Sequence, residues 1–291
     1  ISSCAPGISA SIVNSALAPS GYDKSDVDRL IKALQHQEAD RVPHLEFWVS
    51  GKPVYEYVLG REPDYGAVGA GENRQSIKPE DQVEFALRLG MDAVVCHFHW
   101  RPNNVFEIAA GGSRHYIDGT VKTWSDLDHL EPPPPLADQL SRLERYLRAA
   151  QGTGVGVVAN FSSFFDSALR AVGINDALYM VYDNRSLIER LMDTLLEHQE
   201  RVVRAVCNRF ANDLAFVLVN DDIAFNTGLA IHPDMFMEIF PYRMQRLILP
   251  AQEHGKLVVM HTDGKIDRVM PILFDLGFNA LHPVQPECND I

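Results

Sequence analysis

The sequence predicts an α/β protein built as a parallel (β/α)8 TIM barrel, and three observations carry that expectation. Short, continuous apolar runs of the kind found in strands buried on both faces recur at intervals of about 20 to 65 residues. Segments of helical periodicity fill the intervals, which points to β/α units rather than a sandwich. The runs end in polar residues, as strands do at the end of a barrel where chemistry collects. A doubly wound open sheet is the competing architecture. Against it, no G-x-G-x-x-G or G-x-x-x-x-G-K loop follows the first run. Six strands are readable, so a barrel of eight needs two further β/α units beyond Ile291.

Taken in order, Ile1 to Gly21 is small, Ser/Ala-rich and uncharged, and reads as a loose tail. Residues 22–291 read as one incomplete barrel domain. Tyr22 to Gln37 spaces Val27, Leu30, Ile31 and Leu34 at helical intervals. Arg41 to Val49 is the first strand candidate, with Pro43 near its start. A short helix over Pro53 to Leu59, a Gly-rich loop from Gly66 to Gly71 and a helix from Lys78 to about Gly90 lead into Met91 to Trp100, the second strand. Residues 104–124, with turn signals at 111–112 and 118–119, read as a β-hairpin excursion. Pro132 to Pro135 is a stiff connector into a helix over Leu136 to Ala150. The third strand is Val155 to Ser163, and the helical region after it breaks at Gly173 and near Asn184-Arg185. Leu214 to Asp222 is the fourth strand, followed by a helix from His232 to His254. Lys256 to Gly264 is the fifth, Asp267 to Leu276 a helix, and Ala280 to Gln285 the sixth strand.

The formal net charge of -13 argues against a general nucleic-acid binder. The four Cys (4, 96, 207 and 288) are far apart and suggest no disulfide framework. No apolar run approaches the roughly 20 residues of a membrane span, and the first residues lack the basic start of a signal peptide. A cytoplasmic protein without a membrane partner is the expectation.

Collected at the strand ends are Glu46, His97, His99, Asn160, Asp221, Asp222, His261, Asp263, His282 and Gln285. Polar groups are costly to bury unless partnered, so their recurrence there points to a lined cavity for a metal, an anion or a polar substrate. His97-x-His99 places two imidazoles on one strand face, a spacing that suits a first-row metal, with a structural or substrate-binding pair as the alternative of at least equal weight. His261-x-Asp263 fits a metal through N and O ligands, with Cys288 as a third, or a structural pair. Asp221-Asp222 is the candidate charged catalytic group, or else an N-cap for the segment that follows. Arg41 and Arg101 are candidate anion clamps.

The stretches VNDDIAFNTGLAIHPDMFMEIFPYRMQRLI and HGKLVVMHTDGKIDRVMPILFDLGFNALHPVQPE resemble the uroporphyrinogen decarboxylase superfamily. RVPHLEFW and NFSSFFDSALRAVGINDALYMVYDNRSLIERLMD sit in matching order, so the likeness covers the chain from about residue 25. The resemblance implies a barrel with its site at the C-terminal mouth. One branch removes carboxylates from tetrapyrrole acetate groups without a cofactor, using a first-strand motif R-x-P-x-W-x-M-R-Q-A-G-R. Here Arg41-Val-Pro43 is followed by His-Leu-Glu-Phe-Trp-Val-Ser-Gly, so the second half of that motif is absent. The other branch transfers methyl groups to or from a corrinoid (cobalamin), and its thiol-specific members bind zinc through His-x-Cys and a later Cys. The matching pair here is His261-x-Asp263. Loss of the arginine motif favours the methyltransferase branch, with a corrinoid, on a partner corrinoid protein or free, as substrate. Asp221, Asp222, His261 and Asp263 are then the candidate catalytic residues, with Glu46, His97, His99, Asn160, His282 and Gln285 binding substrate. Zinc on His261, Asp263 and Cys288 is the candidate metal, and a homodimer the candidate assembly. Tetrapyrrole acetate decarboxylation is the alternative, and a tetrapyrrole-binding module without turnover a third reading.

Overall fold

Five of the apolar runs become the strands of a single sheet, in the order Ala93–Phe98, Gly156–Ser162, Val217–Asn220, Val258–His261 and Ala280–His282. The computed structural model describes residues 24–49, 51–65, 77–108 and 114–290. Within these, the elements are α1 (Val27–Leu34), α2 (Lys52–Leu59), α3 (Pro79–Leu89), β1 (Ala93–Phe98), β2 (Asn104–Ile108), β3 (Arg114–Gly119) and α4 (Trp124–Leu127). There follow α5 (Leu136–Ala150), β4 (Gly156–Ser162), α6 (Phe165–Val172), α7 (Ile174–Asp183) and α8 (Arg185–Phe210). The last part holds β5 (Val217–Asn220), β6 (Ala224–Phe225), β7 (Gly228–Leu229), α9 (Pro233–Ile239), α10 (Pro241–Glu253), β8 (Val258–His261), α11 (Met270–Asp275) and β9 (Ala280–His282). The β4–β5, β5–β8 and β8–β9 ladders are parallel. Each parallel connection runs through helices, as a crossover must, and the result is an α/β fold with a parallel central sheet. No helix of the described residues is long and apolar enough to cross a membrane. The expected tail at 1–21 and Gly-rich loop at 66–71 lie outside the described residues, as does the hairpin tip at 109–113.

The chain divides into two compact units. In the first, which holds described residues 24–65, 77–94 and 144–157, a buried carboxylate organises the fold. Asp92 is fully buried. Its side chain accepts from the backbone of Asp26 and of His44, each at 2.9 Å, and from Arg29 Nη1 at 2.8 Å. Those bonds correct the expectation of a strand over Arg41 to Val49, where no strand forms. Asp92 N–H donates to the His44 carbonyl at 2.7 Å, and Pro43 has no N–H with which to continue a ladder. The sheet therefore has five described strands, not six.

The second unit, residues 95–143 and 158–290 among those described, carries the polar strand ends. Helix α8 runs for 26 residues and buries Leu187, Ile188, Leu191, Leu195, Val202 and Val206 on one stripe. The helix expected over His232 to His254 is two helices, because Pro241 at the start of α10 has no N–H to donate to the preceding turn. The β2–β3 hairpin is antiparallel as expected. A second small hairpin, β6–β7, follows Asp222 where an N-capped helix was the alternative expectation.

Candidate functional site

The parallel register brings four strand ends level. Ser162 on β4 pairs with Asn220 on β5, Asn220 with His261 on β8, and His261 with His282 on β9. Aligned residues of a parallel sheet point to one face, so this row of polar side chains looks the same way. Two residues earlier, Asn160 Nδ2 donates to His97 Nδ1 at 2.9 Å, so β1 contributes to the same face. Alternation explains the difference between neighbours on β1. Phe98 and Trp100 are buried on one side, while His97 and His99 on the other are more open. Burial nevertheless pushes the His97 imidazole down to about 4 and that of His99 well below its ordinary value, with the charge of Arg101 adding in both cases. Both rings are therefore neutral near pH 7.

Beyond the strand ends the carboxylates separate by role. Asp222, His261 and Asp263 bring one ligand atom each to within 4.8 Å of one another. His261 Nε2 lies 3.9 Å from Asp222 Oδ1, and the backbone N–H of Asp263 donates to that same oxygen at 3.4 Å. Asp221, one residue away, is fully buried and faces elsewhere. Its carboxylate accepts from the backbone N–H of Asp166 at 2.7 Å and of Phe165 at 3.4 Å. It thus caps the start of α6 rather than a helix following its own strand. Burial pushes its carboxyl up to about 8, against the lowering effect of the Asp166 N–H bond.

Two arginines flank this cluster. Arg170 Nε donates to both oxygens of Asp166, at 2.7 and 2.9 Å, and its Nη2 lies 3.9 Å from Asp222. Arg101 Nη2 donates to Asn220 Oδ1 at 3.2 Å and lies 3.9 Å from Asp166. Burial raises the Asp166 carboxyl, with Arg101 and Arg170 opposing and Asp222 adding to the rise. Arg170 is held by its own surroundings too, since its guanidinium lies 5.2 Å from the centre of the Tyr116 ring.

The loop that carries Asp263 is anchored from behind. Gly264 N–H donates to Gln285 Oε1 at 2.6 Å, and Asn289, which is buried, accepts from Ile266 N–H and donates to the Gly264 carbonyl. Gly264 sits at φ +95°, and a Cβ there would lie 2.7 Å from the Ala224 backbone, so hairpin β6–β7 packs directly on the loop.

The sequence-expected residues thus fall into groups. Asp222, His261 and Asp263 converge, with His282 beside them; His97 and Asn160 pair; Gln285 supports the loop. Cys288 is not in the metal-spaced group: its carbonyl accepts from Lys265 Nζ at 2.8 Å. Glu46 belongs to the first unit, 3.5 Å from His44 Nε2, and Arg41 binds there to the Gly90 carbonyl at 2.8 Å. Sequence reasoning missed Asp166, Arg170 and Asn220. Asp166 and Arg170 carried one legible signal, an acid–base pair four residues apart on the helix that follows β4.

Comparison with known proteins bears on the fold and the family. The structure is similar to a solved methyltransferase from Methanosarcina mazei, with a TM-score of 0.59 and 18% sequence identity over 89% of this chain and 76% of that one. At that identity the likeness is one of fold. Two weaker structural matches are the tandem catalytic modules of the pneumococcal exo-beta-D-N-acetylglucosaminidase and morphinone reductase bound to tetrahydroNAD. The first has a TM-score of 0.34 and 12% identity over 65% of this chain and 50% of that one. The second has a TM-score of 0.30 and 13% identity over 70% and 43%. Among curated proteins, none matches the sequence. The model of the family "Uroporphyrinogen decarboxylase (URO-D)" matches residues 105–283, more than half of the chain and the part that holds all the converging side chains. The chain belongs to the uroporphyrinogen decarboxylase family.

Proposed function

We propose that this protein is a methyltransferase acting on a corrinoid-linked methyl group, with a divalent metal, zinc as the candidate, held by Asp222, His261 and Asp263. The observation that carries the reading is the spacing of those three donors, within 4.8 Å of one another at adjacent strand ends. The donor set fits the ion: one imidazole and two carboxylates suit a borderline cation, and three protein ligands leave a position for substrate. Such an ion, when bound, acts as a Lewis acid that lowers the pKa of an acceptor S–H or O–H. The chain's own residues do the rest. The loop bonds of Gln285 and Asn289 fix where Asp263 stands. Arg101 and Arg170 place positive charge 3.9 Å from Asp166 and Asp222 respectively, beside the donors. Asp221 holds α6 in place, and neutral His97 and Asn160 line the face deeper in. On this reading the parallel sheet is part of a (β/α)8 barrel, and the corrinoid, carried by a partner corrinoid protein, approaches at the C-terminal ends of the strands.

Tetrapyrrole acetate decarboxylation is the second reading. Arg101 beside Asp166 and Arg170 beside Asp222 favour it, as counter-charges for substrate carboxylates, while the shortened motif after Arg41-Val-Pro43 speaks against it. The deciding experiment is metal analysis of the purified protein, followed by an absorbance titration with methylcobalamin and an anaerobic uroporphyrinogen assay. Bound zinc and a corrinoid spectral change support methyl transfer. Coproporphyrinogen as product, without metal, overturns it. Binding of a tetrapyrrole with no turnover would leave a carrier in its place.

A further inference from the structure

Strand β9 ends at His282, opposite His261 in the parallel register of β8 and β9. The two rings are 5.1 Å apart between centroids and tilted by 34°, and their Nδ1 atoms are 2.8 Å apart. A contact that short between two ring nitrogens requires one of them to donate and the other to accept. The remaining nitrogen of His261, Nε2, is the one near the acidic side chains, 3.9 Å from Asp222 Oδ1. For Nε2 to ligate an ion it must present a lone pair, and a neutral imidazole then carries its proton on Nδ1.

We propose that His282 is a positioning residue for the metal site. Its Nδ1 accepts the hydrogen bond from His261 Nδ1–H and so fixes the tautomer and ring orientation that aim Nε2 at Asp222 and Asp263. The assignment rests on the divalent-ion reading above. It gives His282 a role that substrate contact does not: the residue acts through His261 and takes no place in the ligand set, which comprises Asp222, His261 and Asp263. The backbone holds the pair in register, because Thr262 N–H donates to the His282 carbonyl at 2.9 Å between β8 and β9. The side-chain bond therefore inherits its geometry from that ladder. Partners of this kind behind ligating histidines typically change metal affinity by about 10- to 100-fold.

Two substitutions separate the acceptor from the ring. His282→Phe keeps the ring and removes the acceptor; His282→Asn removes the ring and keeps an acceptor oxygen. Titration of the full chain with Co(II), read by its d–d absorbance, gives the affinity of each without reference to turnover. The expected result is a loss of about 10- to 100-fold for His282→Phe and a change within about threefold for His282→Asn. His282→Leu serves as the acceptor-free variant should the Phe protein fail to fold. Equal affinity in the wild-type and Phe proteins would overturn the assignment, and so would equal losses in Phe and Asn, which show that an acceptor at this position does not preserve the site. If the wild-type protein itself takes up no Co(II), the ion reading falls and the assignment falls with it.

Discussion

Replacing Asp221 tests whether this carboxyl reacts or supports. The side chain is fully buried and accepts one good backbone bond, from Asp166 N–H at 2.7 Å, and one long one, from Phe165 N–H at 3.4 Å. Asp221→Ala removes the cap of α6, worth about 0.5–2 kcal/mol, and leaves a buried N–H unsatisfied at about 1–3 kcal/mol. The expected loss is about 2–4 kcal/mol, a large share of the roughly 5–15 kcal/mol that holds a domain together. Asp221→Asn should cost far less, about 0.5–1.5 kcal/mol, because the amide oxygen still accepts from Asp166. Little charge is lost either, since burial has pushed the native carboxyl up to about 8. Urea denaturation at pH 7, with the slope checked for constancy, measures both differences. Co(II) and methylcobalamin titrations on the Asn protein should match wild type. An Asn variant of undiminished stability that has lost turnover by 100-fold or more would refute the argument and return Asp221 to the reacting groups.

Other expectations follow from the same geometry. Asp263→Asn should weaken Co(II) binding at least about tenfold while shifting the urea midpoint little, because Asp263 is exposed and keeps its shape; unchanged affinity would remove it from the ligand set. Gly264→Ala should destabilise by about 2 kcal/mol or more and weaken the same binding, since its Cβ meets the Ala224 backbone at a φ of +95°; a stable, tight-binding variant would contradict the close approach. Asp92→Ala strips a buried partner from Arg29 and should cost about 3–5 kcal/mol in a urea melt. His198 is buried against Trp100, and burial pushes it from 6.5 down to about 4. Above pH 6.5 both states are neutral; between 6.5 and 4 only the unfolded chain takes the proton, so stability falls as pH falls. The loss is about 3 kcal/mol over that window. His198→Gln should flatten this limb in melts from pH 7 to 4.5.

Apolar run length and helical spacing made most elements legible. The breaks at Gly173 and Asn184, the hairpin after Asn104 and the helix over Leu136–Ala150 all follow from local chemistry that the chain carries in itself. The segment Arg41–Val49 misled for the complementary reason. Strand propensity is realised only by a partner, and Asp92 took the His44 backbone with one residue while Pro43 withheld a donor.

The sequence by itself determined that polar residues end the strands, that His261 and Asp263 lie close, and that the chain resembles its family. It could not rank Asp221 against Asp222. Adjacent residues point apart, and which one meets the helix start at Asp166 and which one meets His261 depends on how β5 is registered against β4 and β8. The same holds for His282, whose pairing with His261 spans 21 residues of sequence, and for Cys288, which spacing alone admitted as a ligand. Side-chain convergence is a property of register and loop closure, and both are decided by pairing between segments distant in sequence. That is why the residue types were readable in the chain, while which of them come together depended on the sheet.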